Sequence, residues 1–152
     1  RREGIATHHL SNRTHPDPDA LDRTILETLQ GCGVEILVLA GYMKKLGSKT
    51  LAAYRGRIVN IHPALLPKFG GQGFYGNAVH QAVLAAGATE SGATVHLVDG
   101  EYDQGTILAQ RKVAVLPDDT PETLAARVLV QEHVLYTETL QKIAMGKIAL
   151  EG

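Results

Sequence analysis

An α/β fold whose sheet mixes parallel and antiparallel strands is what this sequence predicts, and three features carry that reading. Short apolar runs alternate with helical apolar spacings through the first two thirds of the chain, the pattern of strands joined by crossover helices. The last two apolar runs are separated only by Asp99–Thr106. That connection is too short for a parallel crossover, so those strands are antiparallel neighbours or unpaired. A long helical pattern then follows.

Taken in order, Ile5–Leu10 is a strand candidate and Ser11–Pro18 is turn-rich. Asp19–Gln30 carries Leu21, Ile25, Leu26 and Leu29 at helical spacing, and Gly31 and Gly33 stop that helix. Val34–Ala40 is almost continuously apolar, interrupted only by Glu35, which predicts a strand buried on both faces. Ser48–Tyr54 reads as a short helix, Arg57–His62 as a strand, and Asn77–Ala86 as a helix ended by Gly87. Gly92–Val98 and Ile107–Val115 read as strands. Thr120-Pro121-Glu122-Thr123 opens a long helix to Met145, because proline suits the first turn.

The bulk properties exclude several classes. At 152 residues, 44% hydrophobic and 20% charged, the chain suits one globular domain. A net charge of -1 offers no broad basic surface for nucleic acid. No run of about 18 apolar residues is present to span a membrane, and no signal peptide is visible. Cys32 is the only cysteine, which excludes an internal disulfide and a zinc–cysteine site and fits a cytoplasmic protein. Its simplest role is that of a small apolar residue near a helix end. His8 and His9, on opposite faces of a strand, are poorly placed to share a metal, and no metal is expected. The opening Arg1-Arg2-Glu3-Gly4 has no methionine and reads as an entry in the middle of a protein.

Four groups of residues could carry chemistry. Asn60 and His62 share one strand face and Pro63 ends the strand directly after them. Ligands in open α/β sheets bind beyond the carboxyl ends of strands, although a capped strand end explains the pair equally well. Asp99–Gly105 packs three carboxylates and two glycines between strands; by itself it reads first as a solvated turn. Glu132 falls within the apolar arc of Leu124, Leu135, Val128, Ala125, Ile143, Tyr136 and Leu129. A carboxylate there is either a working polar group or one that snorkels to water. Lys68–Gly76, rich in glycine and aromatics, is a binding turn, a lid or a surface loop. Gly-x-Ser-x-Gly and His-Glu-x-x-His are absent, so no serine or zinc hydrolase motif is present.

In combination these segments resemble the folate-dependent formyltransferase family. The resemblance rests on Asn60-Ile61-His62-Pro63-Ala64-Leu65-Leu66-Pro67, Gly92-Ala93-Thr94-Val95-His96-Leu97-Val98 and Tyr102-Asp103-x-Gly105-x-Ile107-Leu108. Asp119–Val128 followed by Gln131-Glu132-His133 is more particular, and is similar to the branch that acts on glycinamide ribonucleotide. The likeness runs from about Gly4 to Gly146. It implies a Rossmann-like formyltransferase fold with a mostly parallel twisted sheet and antiparallel carboxyl-terminal strands. It implies that 1–152 is one domain, incomplete at its amino terminus, because nothing matches the family's first strand and Gly/Ser/Asn-rich phosphate loop. The Lys68–Gly76 loop is longer than in many members.

The implied reaction moves the formyl group of 10-formyltetrahydrofolate to the amine of glycinamide ribonucleotide, in purine biosynthesis. The family's catalytic residues fall on Asn60, His62 and Asp103. Its folate contacts fall on Met43, Lys44 and Leu46 and on the segment from Val98 through Gly100 and Glu101 to Asp103. Its ribose-contacting glutamate falls on Glu132. The partners implied are small molecules, with no nucleic acid and no membrane, and a homodimer is compatible with the resemblance. Competing expectations are a deformylase, in which water replaces the amine, and a folate-binding fragment without activity. A methionyl-tRNA formyltransferase is disfavoured because no basic carboxyl-terminal domain follows.

Overall fold

A computed structural model describes residues 2–100 and 105–150. The elements run α1 (Pro18–Gly31), β1 (Leu37–Val38), α2 (Ser48–Ala53), β2 (Ile58–His62), α3 (Asn77–Ala85), β3 (Glu90–Leu97), β4 (Ile107–Ala114) and α4 (Pro121–Ala144). The strands form one sheet in the order β1-β2-β3-β4. β1 and β2 are parallel, whereas β2–β3 and β3–β4 are antiparallel.

The mixed sheet agrees with the sequence reading. One detail differs. Among the described residues only the β1–β2 pair is parallel, so the antiparallel part begins at β3 rather than at β4. The chain between β2 and β3 holds α3, but α3 packs against α4 and does not carry the chain across to a parallel neighbour.

Two strand expectations fail, and both for want of a neighbour. Ile5–Leu10 forms no element, and Ile5 is 70% exposed. Among the described residues no second strand supplies the ladder that would satisfy its backbone. Consequently His8 and His9 are not on two faces of a strand. His8 instead approaches Cys32, with Nε2 3.7 Å from Sγ, and Cys32 is exposed at the C-cap of α1 rather than packed as an apolar residue. In 34–40 only Leu37–Val38 pairs. Leu37 is buried but Val38 is 44% exposed, so the strand is not buried on both faces. β1 is an edge among the described strands and has β2 as its single neighbour.

The helices begin and end where capping chemistry allows. Asp17 caps α1 by accepting from the Ala20 N–H at 3.1 Å, with Pro18 in the first turn. Thr120 and Thr123 cap α4 reciprocally. Asp119 also clamps Arg127 through two contacts of 2.8 Å, and the guanidinium holds the carboxyl well below the usual carboxylate range.

α4 covers β3 and β4. Its Leu135 packs with Val59, Ala93, Val95 and Leu97, and its Leu124 and Val128 with Val83 and Val113. Ile58 points the other way, into a cluster with Leu37 and Tyr54 that Leu26 and Leu29 of α1 complete. The alternation along β2 therefore divides two apolar layers and leaves Asn60 and His62 on the Ile58 side of the pleat.

Candidate functional site

A cleft of about 430 Å³ opens beyond the carboxyl ends of β1 and β2. One side is the strand end, with Asn60, Ile61, His62 and Pro63. A second is the loop from Gly41 to Leu46. α4 contributes Ala125, Ala126, Leu129 and Glu132, while Phe74, Tyr75 and Gly76 close the approach to α3.

The strand end is held by a buried polar knot. The Thr94 hydroxyl donates to the Ala64 carbonyl at 2.7 Å and accepts from the Leu66 N–H at 3.0 Å. The Gln110 amide donates to the Leu66 carbonyl at 2.8 Å and to the Thr94 hydroxyl at 3.0 Å. Thr94 sits opposite His62 in the ladder, and His96 sits opposite Asn60. The chain that leaves His62 is thereby fixed to β3 and β4.

His62 is buried, and its Nε2 donates to the Phe69 carbonyl at 2.7 Å. Phe69 has a left-handed φ of 56°, uncommon for a side chain of this size. The loop from 68 to 76 meets the site at two points: the Phe69 carbonyl accepts from the imidazole, and Phe74, Tyr75 and Gly76 line the cleft. His80 of α3 is buried beside the same space, and among the described residues its Nδ1 has no hydrogen-bond partner. Burial, and then the charge of His62, hold the His80 imidazole below its ordinary value, so His80 stays neutral.

Glu132 reaches the cleft from within the largely apolar face of α4. Burial pushes its carboxyl up from the ordinary range, with neighbouring His133 pulling the other way. The helical-arc reading held for Leu124, Val128 and Leu135, which are buried. It overstated Leu129, which is 49% exposed because its position on the arc faces the open cleft. One turn beyond Glu132, the Tyr136 hydroxyl contacts the Leu39 carbonyl at 2.7 Å and the Val59 carbonyl at 3.1 Å. Burial raises the Tyr136 phenol strongly, so it remains a neutral donor.

Of the residues singled out from the sequence, Asn60, His62, Met43, Lys44, Leu46, Val98, Gly100 and Glu132 all line this cleft. Glu101 and Asp103 lie outside the described residues. Gly105 follows them at very close quarters: a Cβ there would lie 1.7 Å from the Leu97 carbonyl oxygen, so only glycine fits. Sequence reasoning missed His80 and His96 as cleft residues. For His96 a signal existed, since two antiparallel strands of this length place it opposite Asn60. Nothing in the helix around His80 announced its role. Among the described residues no group of three or more side chains is arranged to hold a metal ion.

Sheet, cleft and convergent polar groups define an α/β protein that takes a ligand at the carboxyl ends of its strands. The chain belongs to the formyl transferase family, whose model matches residues 1–140. It is 51% identical over 124 residues to the chloroplastic phosphoribosylglycinamide formyltransferase of Arabidopsis thaliana, covering 82% of this chain and 42% of that protein. A crystal structure of phosphoribosylglycinamide formyltransferase from Brucella melitensis superposes with a TM-score of 0.84 at 45% identity, covering 99% of this chain and 74% of that one. A formyltetrahydrofolate deformylase from Pseudomonas syringae superposes with a TM-score of 0.85 at 22% identity, covering 99% of this chain and 48% of that one. That last likeness is one of fold alone. The chain spans 42% and 40% of the lengths of its Arabidopsis and cowpea relatives.

Proposed function

We propose that this chain is the catalytic part of an enzyme that transfers the formyl group of 10-formyltetrahydrofolate to the amine of glycinamide ribonucleotide, a step of purine biosynthesis. Membership of the formyl transferase family implies a folate-derived formyl donor. The observation that carries the proposal is that Asn60 and His62 from the end of β2 share one cleft with Glu132 from α4. On this reading Asn60 and His62 are the polar reaction centre, and Glu132 is a carboxylate suited to sugar hydroxyls. The names of the Arabidopsis and Brucella relatives point the same way.

In the proposed mechanism the substrate amine attacks the formyl carbon, forming a carbon–nitrogen bond while the carbonyl electrons move to oxygen. The Asn60 amide donates to that oxyanion, and protonated His62 stabilises it; preorganised donors are most effective where charge develops. With Nε2 engaged by Phe69, His62 acts through Nδ1 and through its charge. Asp103 pairs with His62, and through water takes the proton leaving the amine. Collapse of the intermediate breaks the bond to the folate nitrogen, which takes up the proton that Asp103 received from the amine, returned through the same water. Met43, Lys44 and Leu46 form one wall for the folate, and the segment from Val98 through Gly100 and Glu101 to Asp103 forms the other. Glu132 accepts from the ribose hydroxyls. The proposal includes 1–152 as part of a single domain and a cytoplasmic location, with a plastid as the competing compartment because the Arabidopsis relative is named chloroplastic.

Formyl transfer measured with both substrates tests the reading. Activity lost in the Asn60→Ala/His62→Ala/Asp103→Asn variant supports it, and full activity in that variant refutes it. Formate release at full rate without the nucleotide would reassign the site to hydrolysis.

A further inference from the structure

The loop from Gly41 to Leu46 lines the cleft, and one of its ends leads directly into α2. It contains no helix or strand, and Met43 is 60% exposed. Lys44 is tied outward, its Nζ donating to the Asn12 side chain at 3.1 Å. Leu46 packs against the cluster of Leu37, Tyr54 and Ile58, and the two ends of the loop set where it begins and stops. At one end the Leu39 N–H donates to the Val59 carbonyl at 2.8 Å. At the other stands α2, whose N-cap residue, Gly47, has no side chain to offer a cap.

The missing cap comes from another helix. Asp22 of α1 is buried, and its Oδ2 accepts from the Lys49 N–H at 2.8 Å. Its Oδ1 accepts from the Thr50 N–H at 3.2 Å and from the Thr50 hydroxyl at 2.6 Å. The carboxylate occupies the space a side chain at 47 would fill: a Cβ there would lie 2.1 Å from its carboxyl carbon. Gly47 has φ −69° and ψ 159°, which any residue adopts, so glycine is required for room and not for backbone freedom. Burial works against the charge of Asp22, but the Thr50 hydroxyl, the two amides and Lys49 together outweigh it and keep the carboxyl ionised.

We propose that Asp22 is a positioning residue for the formyl donor: seated in the notch at Gly47, it fixes the loop that forms the folate wall from outside the cleft. This rests on the reading of that loop as a folate wall under the proposed function. A buried carboxylate with all its partners in place has one low-energy seat. The loop inherits that precision without placing a charge against the ligand.

The test uses the whole protein, 10-formyltetrahydrofolate as the probe, and amide hydrogen exchange as a second readout. In Asp22→Asn, the KM for 10-formyltetrahydrofolate should rise roughly tenfold while kcat stays within about twofold. Exchange across 41–46 should accelerate while β3 and α4 stay protected. Gly47→Ala, which leaves Asp22 intact but fills the notch, should do the same. Asp22→Ala makes room for the added methyl, so Asp22→Ala/Gly47→Ala should be no worse than Asp22→Ala alone. Should Asp22→Asn fail to fold, Gly47→Ala and Thr50→Val interrogate the same contact with smaller changes. Wild-type exchange across 41–46 in Gly47→Ala, or strictly additive effects in the double variant, would overturn the proposal. A wild-type protein that ignores 10-formyltetrahydrofolate would instead remove the proposed function, and the exchange experiment would still decide the role of Asp22.

Discussion

The two walls of the cleft are built differently. The end of β2 is held by its antiparallel ladder to β3 and by the knot of Thr94 and Gln110. The loop of 41–46 has no ladder of its own; a ladder bond at one end, the Asp22 cap at the other and the packing of Leu46 hold it. Reacting groups belong on the first kind of wall, because oxyanion stabilisation is lost over small displacements. A large flat ligand is served by the second kind, which presents exposed apolar and cationic side chains. A change in the strand wall should therefore register in turnover, and a change in the loop wall in affinity.

That contrast can be broken most forcefully at the strand end. His62→Ala and Asn60→Ala should each lower kcat by ~10²–10³ with little change in donor binding. Steady-state kinetics alongside calorimetric binding would separate the two quantities, and an equal loss in both would erase the distinction between the walls. The next effect is on stability. Thr94→Val orphans the buried Ala64 carbonyl and the Leu66 N–H. The expected loss is ~1–3 kcal/mol, read from the shift of a urea midpoint.

Acid sharpens the comparison at the other wall. Asp22 has a folded-state value below its ordinary one, so its contribution is present above the ordinary carboxylate range and disappears as pH falls through the lowered value. Melts on descending pH should show this loss in the wild type, and the slope should be shallower in Asp22→Asn; identical slopes would count against the cap. The smallest effect should come from Glu132, whose folded value is raised. Its ionised form is disfavoured in the fold, so stability falls as pH rises from the ordinary value through the raised one. Glu132→Gln should stabilise the protein at neutral pH by under about 1 kcal/mol, a modest figure because the carboxyl is partly solvated. The same variant should weaken nucleotide binding, and a gain in both would remove Glu132 from the substrate site.

The readable parts of the fold share a property with the readable parts of the site: both are local. The helices declared themselves through Asp17, Pro18, Thr120 and Pro121, and β2 through its apolar alternation and terminal proline. Asn60 and His62 followed from period two, and Glu132 from its conflict with an apolar arc. What the sequence concealed depends on neighbours far along the chain. Ile5–Leu10 resembles a strand but lacks a partner, and 34–40 resembles a buried strand but lies at an edge. His80 and the pairing of Asp22 with Gly47 are visible only once α3 meets α4 and α1 meets α2.

The Tyr136 hydroxyl carries one implication for how the halves of the reaction keep in step. A single phenol grips the carbonyls of residues 39 and 59, from which the loop of 41–46 and the end of β2 lead into the cleft. Glu132 stands one helical turn away. Under the proposed function, donor, acceptor and reaction centre would be surveyed from one benchmark, and a shift of α4 would move all three together instead of pulling them apart.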